Sequence, residues 1–192
     1  FGTLDLQLHR AVRHPDGVVT RDTVKLAEFP RGLERFREMA TSHSTFWGAL
    51  FWNPVLKQPV LNVRTPVRRN DDAFVGALIA TVAVGDLSLL IGDPEAPGSR
   101  YFILVDHDRV LAHHRLIDPR GLGLTENSPL PSIKDVDDPV LAHIWDPPVR
   151  SAQFDRALGD LGHVVSINGR SWLFVYRALP KYGPQPWLVG QY

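Results

Sequence analysis

The chain has 192 residues with 21 basic and 21 acidic side chains, so nothing suggests an electrostatic scaffold for nucleic acid or an anionic membrane. A 44% apolar content is that of an ordinary globular protein with material for a real core. Cysteine is absent, which excludes thiolate zinc sites, iron–sulfur clusters, disulfides and a cysteine nucleophile and is compatible with any redox compartment.

From the N-terminus, "GTLDLQLHRAV" alternates apolar and polar from Leu4 to Leu8, the period of a half-buried strand. "HPDG" at 14–17 is a turn signal, and "VVTRDTVKL" returns as the second strand of a hairpin. "PRGLERFREMA" places Leu33, Phe36 and Met39 at helical spacing, which predicts a short amphipathic helix over 30–40. "TFWGALFW" and "PVLNVRTPV" read as a further pair of strands and "FVGALIATVAV" as a long, mostly buried one. "GDLSLLIGD" predicts one or two helical turns ending at Gly92. "DPEAPGS", 93–99, is the best linker in the sequence.

After it the order restarts. "YFILVDHDRVLAHHRL" is strand, turn, strand; "PVLAHIW" and "SAQFDRALGDL" are helical candidates. "GHVVSINGRSWLFVYRAL" holds an Asn-Gly hairpin, and "PWLVGQY" closes as a strand. The two halves even share a hairpin: apolar pairs ending at Gly76 and Gly190 follow Arg64 by 12 residues and Arg177 by 13. The expected fold is therefore α+β with two PAS-like modules, residues 1–95 and 96–192, each a five-stranded antiparallel sheet with flanking helices. Such a sheet leaves a concave space under its crossing helix, a natural place for a small ligand.

The stretches "FWGALFWNPVLKQPVLNVRTPVRRNDDAFVGALIATVAVGDLSLLI" and "YFILVDHDRVLAHHRLID" resemble the double Cache domain, a tandem PAS-like extracytoplasmic sensor of bacterial receptors. With "DDPVLAHIWD", the wording is most similar to sensor regions placed before adenylate/guanylate cyclase domains. The resemblance implies a periplasmic, non-catalytic part of an inner-membrane protein. It also implies a ligand site in the first, membrane-distal module, membrane attachment through flanking segments, and a homodimer in the full-length protein. Members that bind amino acids resemble each other in an Arg-x-Trp-Tyr cluster and a following aspartate. Here the matching positions read "STFW" and Thr81, so an uncharged or anionic ligand is expected rather than a free amino acid.

The residues themselves supply the candidate site: Phe46, Trp47, Trp52, Asn62, Arg64 and Thr81. Phe46, Trp47, Phe51 and Trp52 could wall a cleft or pack a core; on one continuous strand Phe46 and Trp52 share one face, Trp47 and Phe51 the other. Arg64, flanked by apolar residues, needs an acceptor: a ligand anion, or a carboxylate of the protein in a structural salt bridge. "RRNDD" at 68–72 reads as a solvated turn, and "HVVSI" at 163–167 as a plain run that fills a core.

No metal and no cofactor is expected. His113 and His114, as strand neighbours, point to opposite faces, and no H-E-x-x-H spacing occurs. No G-x-S-x-G, P-loop or G-x-G-x-x-G is present. A hydrolase or isomerase using scattered histidines and aspartates, and a structural dimerisation spacer with empty clefts, are the readings that compete with a sensor. Turnover and ligand-dependent thermal shift separate them. No run approaches the roughly 18–20 apolar residues of a membrane span. No signal peptide precedes Phe1, and the chain is expected to be a domain of a longer protein.

Overall fold

The computed structural model describes residues 2–13, 16–28, 31–53, 56–92, 98–183 and 185–192. It is α+β, with two antiparallel sheets and few helices. The chain divides into two compact units, Phe1–Gly48 with Asn62–Thr81, and Ala49–Leu61 with Val82–Tyr192. The expected junction between residues 95 and 96, most of the 93–99 linker, and half of the "HPDG" turn lie outside the described residues.

The first sheet contains β1 (Gly2–Thr3), β2 (Gln7–Arg13), β3 (Val19–Lys25), β4 (Phe46–Trp47), β5 (Phe51–Asn53), β6 (Gln58–Arg68) and β7 (Phe74–Ala83). Their order is β3-β2-β1-β7-β6-β4, with β5 also on β6. Seven strands replace the expected five because two are broken. The Leu4–Leu8 alternation is interrupted by a turn in which Leu6 takes a left-handed φ of 60° and bonds back to Thr3, so β1 and β2 are separate and Leu4 and Leu6 are exposed. The aromatic run breaks at residues 48–50 into β4 and β5.

Helix α1 (Gly32–Thr41) turns Phe36 and Met39 inward, where they form the core of this unit with Leu26 and Ala77. Phe46, Phe74 and Ile79 pack against that cluster, and the Phe36 and Phe74 rings meet edge to face at 5.4 Å. The helix ends where the Ser42 N–H turns back to the Met39 carbonyl. Arg68 donates to the Ala40 and Ser42 carbonyls at 2.5 and 3.0 Å, giving the helix C-terminus the cation its dipole favours. The "RRNDD" stretch is thus a turn whose first arginine is half-buried and tied to α1, not wholly solvated.

The second sheet contains β8 (Tyr101–Val105), β9 (Arg109–His113), β10 (Gly162–Ile167), β11 (Arg170–Leu179) and β12 (Trp187–Gln191), ordered β10-β11-β12-β8-β9. The last strand again lies centrally, between the opening hairpin and its own predecessor. That is the order of the first sheet, apart from the interposed two-residue β1. Asn168 and Gly169 take the positive φ values of 50° and 75° that a two-residue hairpin requires, and they fix the register His163↔Phe174. Phe102, Leu104, Val110, Leu111, Val165 and Phe174 are fully buried in this core. Leu130, Ile133, Val136, Leu141 and Ile144 are buried as well, on a long irregular segment; there the expected "PVLAHIW" helix is only a 3-10 turn at Leu141–His143. Helices α2 (Val84–Ile91) and α3 (Ala152–Leu158) complete the elements.

Candidate functional site

Alternation along β6 puts Asn62 and Arg64 on one face, and both are buried, Arg64 to 3% exposure. Cross-strand pairing brings Phe46 opposite Arg64, with the guanidinium 5.9 Å from the Phe46 ring centre. Thr81 donates its hydroxyl to the Asn62 Oδ1 at 2.8 Å. Arg64 donates to the Glu38 carboxylate on α1 at 3.0 Å, so the acceptor it required is a half-exposed protein carboxylate. Gly48 leaves room for the guanidinium: a Cβ there would stand 2.8 Å from the nearer Arg64 nitrogen and push it aside. Burial lowers the Arg35 guanidinium from its ordinary value, and the Arg64 charge lowers it further, so two cations share this corner with Glu38.

Phe46, Trp47, Asn62, Arg64 and Thr81 belong to the first compact unit, whereas Trp52 belongs to the unit containing residues 49–61. The break between β4 and β5 also changes which aromatics share a face. Phe46 faces Arg64 and Trp47 faces Val63, but Phe51 then faces Val60 and Trp52 faces Pro59, a register shifted by one residue. A one-residue slip exchanges faces. Phe51, not Trp52, therefore follows the parity of Phe46.

In the second unit a buried polar group joins His113, Asp138 and Tyr192. The His113 Nε2 lies 2.9 Å from the Tyr192 hydroxyl, and its Nδ1 accepts the Arg115 N–H at 3.3 Å. Asp138 accepts from the Val140 and Leu141 N–H groups, each at 2.9 Å, and from Arg100 at 2.8 Å. Burial, with the neighbouring His114 charge, pushes His113 down to about 3. Burial alone would raise Asp138, but the Leu141, Tyr192 and Val140 donors hold it below its ordinary range. Tyr192 is pushed up by burial and by Asp138.

His113 and His114 do not diverge as strand neighbours should, because β9 ends at His113 and a 3-10 turn starts at His114; their ring centres lie 4.1 Å apart. With Asp138 they present three potential metal-ligand atoms within 4.8 Å of one another. Both His113 nitrogens and both Asp138 oxygens are already engaged inside the protein, which is the chemistry of a structural closure.

The second unit also opens into a pocket of about 340 Å³ lined by residues that include Trp145, Asp146, Arg150, Asp160, His163 and Tyr176. The expectation that the "HVVSI" run only fills a core fails at its first residue. Val164 and Val165 are buried, whereas His163 bonds Tyr176 at 2.9 Å at the pocket wall. The Asn-Gly turn carried the missed signal: a two-residue loop sets His163 opposite Phe174 and hence on the face of Tyr176.

Among solved structures, the chain superposes with a TM-score of 0.52 on the ligand-binding domain of the Pseudomonas fluorescens chemoreceptor CtaA in complex with L-alanine. The match covers 94% of this chain and 69% of that one, at 14% identity. The Pseudomonas aeruginosa amino acid chemoreceptor PctC, in complex with GABA, gives 0.52 at 13% identity over 96% of this chain and 72% of that one. The fold is that of bacterial chemoreceptor ligand-binding domains. The sensory domain of the Campylobacter jejuni chemoreceptor Tlp3 gives 0.51 at 12% identity, over 98% of this chain and 64% of that one. The chain thus spans about two thirds of the length of these domains. No family model matches it, and no curated protein matches it in sequence.

Proposed function

We propose that the chain is the extracytoplasmic ligand-sensing part of a bacterial transmembrane signalling protein, organised as tandem modules 1–95 and 96–192 and passing ligand binding to a cytoplasmic output such as a nucleotide cyclase. The observation that carries this reading is the chemoreceptor sensor fold, matched over 92% to 98% of the chain. The ligand is a small uncharged or anionic molecule held in the first module by Phe46, Asn62, Arg64 and Thr81; of the other candidates, Trp47 pairs with Val63 and Trp52 with Pro59, on the opposite face of β6. The buried Asn62–Arg64 row, with Thr81 bonded to Asn62, supports this placement. The second cation at Arg35 favours an anion over a cation there. Solved neighbours include complexes with L-alanine and GABA, but Thr81 offers a hydroxyl and no carboxylate to an ammonium group. Signalling requires that the ligand bind one conformation better than another.

A thermal-shift screen of small organic anions, neutral polar molecules and amino acids tests this reading. A true ligand stabilises by about 2.7 kcal/mol at a hundredfold excess over Kd. Arg64→Ala, Asn62→Ala and Gly48→Ala, the last of which displaces the guanidinium without removing it, should each abolish the shift and leave a folded protein. Ordinary amino acids as the hits, or a shift that survives all three substitutions, would contradict the assignment.

A further inference from the structure

Apart from Arg150, the polar side chains described around the second unit's pocket present acceptors to it. His163 donates its Nε2–H to the Ile144 carbonyl, so in the neutral ring Nδ1 is the acceptor. The Tyr176 hydroxyl hydrogen is therefore committed to that Nδ1 at 2.9 Å, and its oxygen keeps only lone pairs for the pocket. Trp145 spends its indole N–H on the His107 carbonyl at 2.8 Å and offers the pocket no donor. Its ring stands edge to face with Tyr176 at 5.8 Å and stacks toward His163 at 6.1 Å, giving an aromatic wall. Two carboxylates complete the lining. Asp146 is bonded to His143, and Asp160 is exposed and close enough that its charge, after burial, raises the Tyr176 phenol. Arg150 is the one arginine or lysine among the described lining residues. The volume of about 340 Å³ falls in the range of small-molecule sites, roughly 300–1,000 Å³.

We propose that this pocket is a second ligand site, separate from the one on β6, and that it takes a small organic ammonium compound. An ammonium group supplies the donors that Tyr176 and the carboxylates lack, and its charge is attracted to aromatic faces. An anion meets two carboxylates against one arginine, and a neutral apolar molecule leaves the acceptors unpaired. The site shares no residue with the first module, so either proposal can fail alone.

The test is a ¹H–¹⁵N NMR titration of the whole chain, reading the indole N–H signals of its five tryptophans. The Trp145 signal is the one missing from Trp145→Phe or, if that variant fails to fold, is found by sequential assignment. The probes are n-butylammonium, n-butanol and n-butyrate, matched in size and differing in charge. Butylammonium should shift the Trp145 signal saturably, butanol should bind about tenfold more weakly or worse, and butyrate should leave the signal unmoved. Asp160→Asn, at an exposed position, should weaken butylammonium by about three- to tenfold with the remaining spectrum unchanged. Equal binding of butanol, any saturable binding of butyrate, absence of saturation, or wild-type affinity in Asp160→Asn overturns the proposal.

Discussion

Strands β6 and β11 hold the same place in their sheets, each beside the last strand, yet they bury different chemistry. β6 turns Asn62 and Arg64 inward, and the charge is matched by Glu38 from α1. β11 buries Phe174, while Arg177, the counterpart of Arg64 in the repeated hairpin, is exposed. Phe174 stands edge to face with Phe102 at 6.5 Å and tilts against Tyr192 at 5.3 Å. Beneath it β12 must carry glycine, since a Cβ at position 190 would stand 2.5 Å from Phe102. One topology thus supports an interior holding a charge matched by a carboxylate of the protein, and another closed by interlocking rings.

That contrast can be broken most sharply at Phe174. Phe174→Ala should cost about 3–5 kcal/mol in urea unfolding, the range for a fully buried aromatic. A cost under about 1 kcal/mol would mean that the rings do not govern the second unit. Gly190→Ala should cost about 1–3 kcal/mol, because the new methyl meets the Val175 carbonyl at 2.6 Å as well as Phe102. Arg64→Ala should cost about 2 kcal/mol, the scale of a hydrogen bond to a charged group, whereas Arg177→Ala should stay within about 0.5 kcal/mol. Equal costs would erase the difference between the hairpins.

Acid sharpens the comparison further. The folded protein protonates His113 only near about 3, whereas the unfolded chain does so near its ordinary value, so between these the unfolded state binds more protons. Stability should therefore be full above the ordinary histidine range and fall as pH drops from 7 to 4, with a limiting slope of about 1.4 kcal/mol per pH unit from this group. Asp138, held below its ordinary range, adds loss in the same direction at lower pH. Thermal melts against pH read this slope, and His113→Asn should flatten it even if it lowers Tm at every pH.

Element types were readable where local periodicity and turn chemistry agree. The Asn168–Gly169 hairpin, the α1 helix and the length of the β7 strand follow from patterns of a few residues, but β7 is not mostly buried as expected: only Gly76, Ala77 and Ala83 are, and Leu78 is exposed. Boundaries failed where one backbone torsion overrode the pattern, at Leu6, or where a strand broke, at residues 48–50. The aromatic faces were misread for the same reason, since a single-residue register shift lies below the resolution of alternation. That Arg64 needs an acceptor was legible from its apolar flanks, but Glu38 was not, being 26 residues earlier on a helix. His113, Asp138 and Tyr192 are far apart in sequence, and no spacing rule joins them. The segment 117–150 lacks periodicity because its apolar residues fill gaps one at a time rather than along a face.

Arg100 and Tyr192 exchange both backbone hydrogen bonds, at 2.9 and 3.0 Å, at the open end of the β8–β12 pair. Tension applied between these two residues would load that pair of bonds first. Because the strands are antiparallel and would be pulled from this open end, rupture would run as a zipper from Gln191↔Tyr101 toward Trp187↔Val105, one rung after another. The Arg100–Asp138–Tyr192 contacts sit across the first rung as a latch. The points where the chain enters and leaves the second sheet are thus tied to each other by main-chain and side-chain bonds at once.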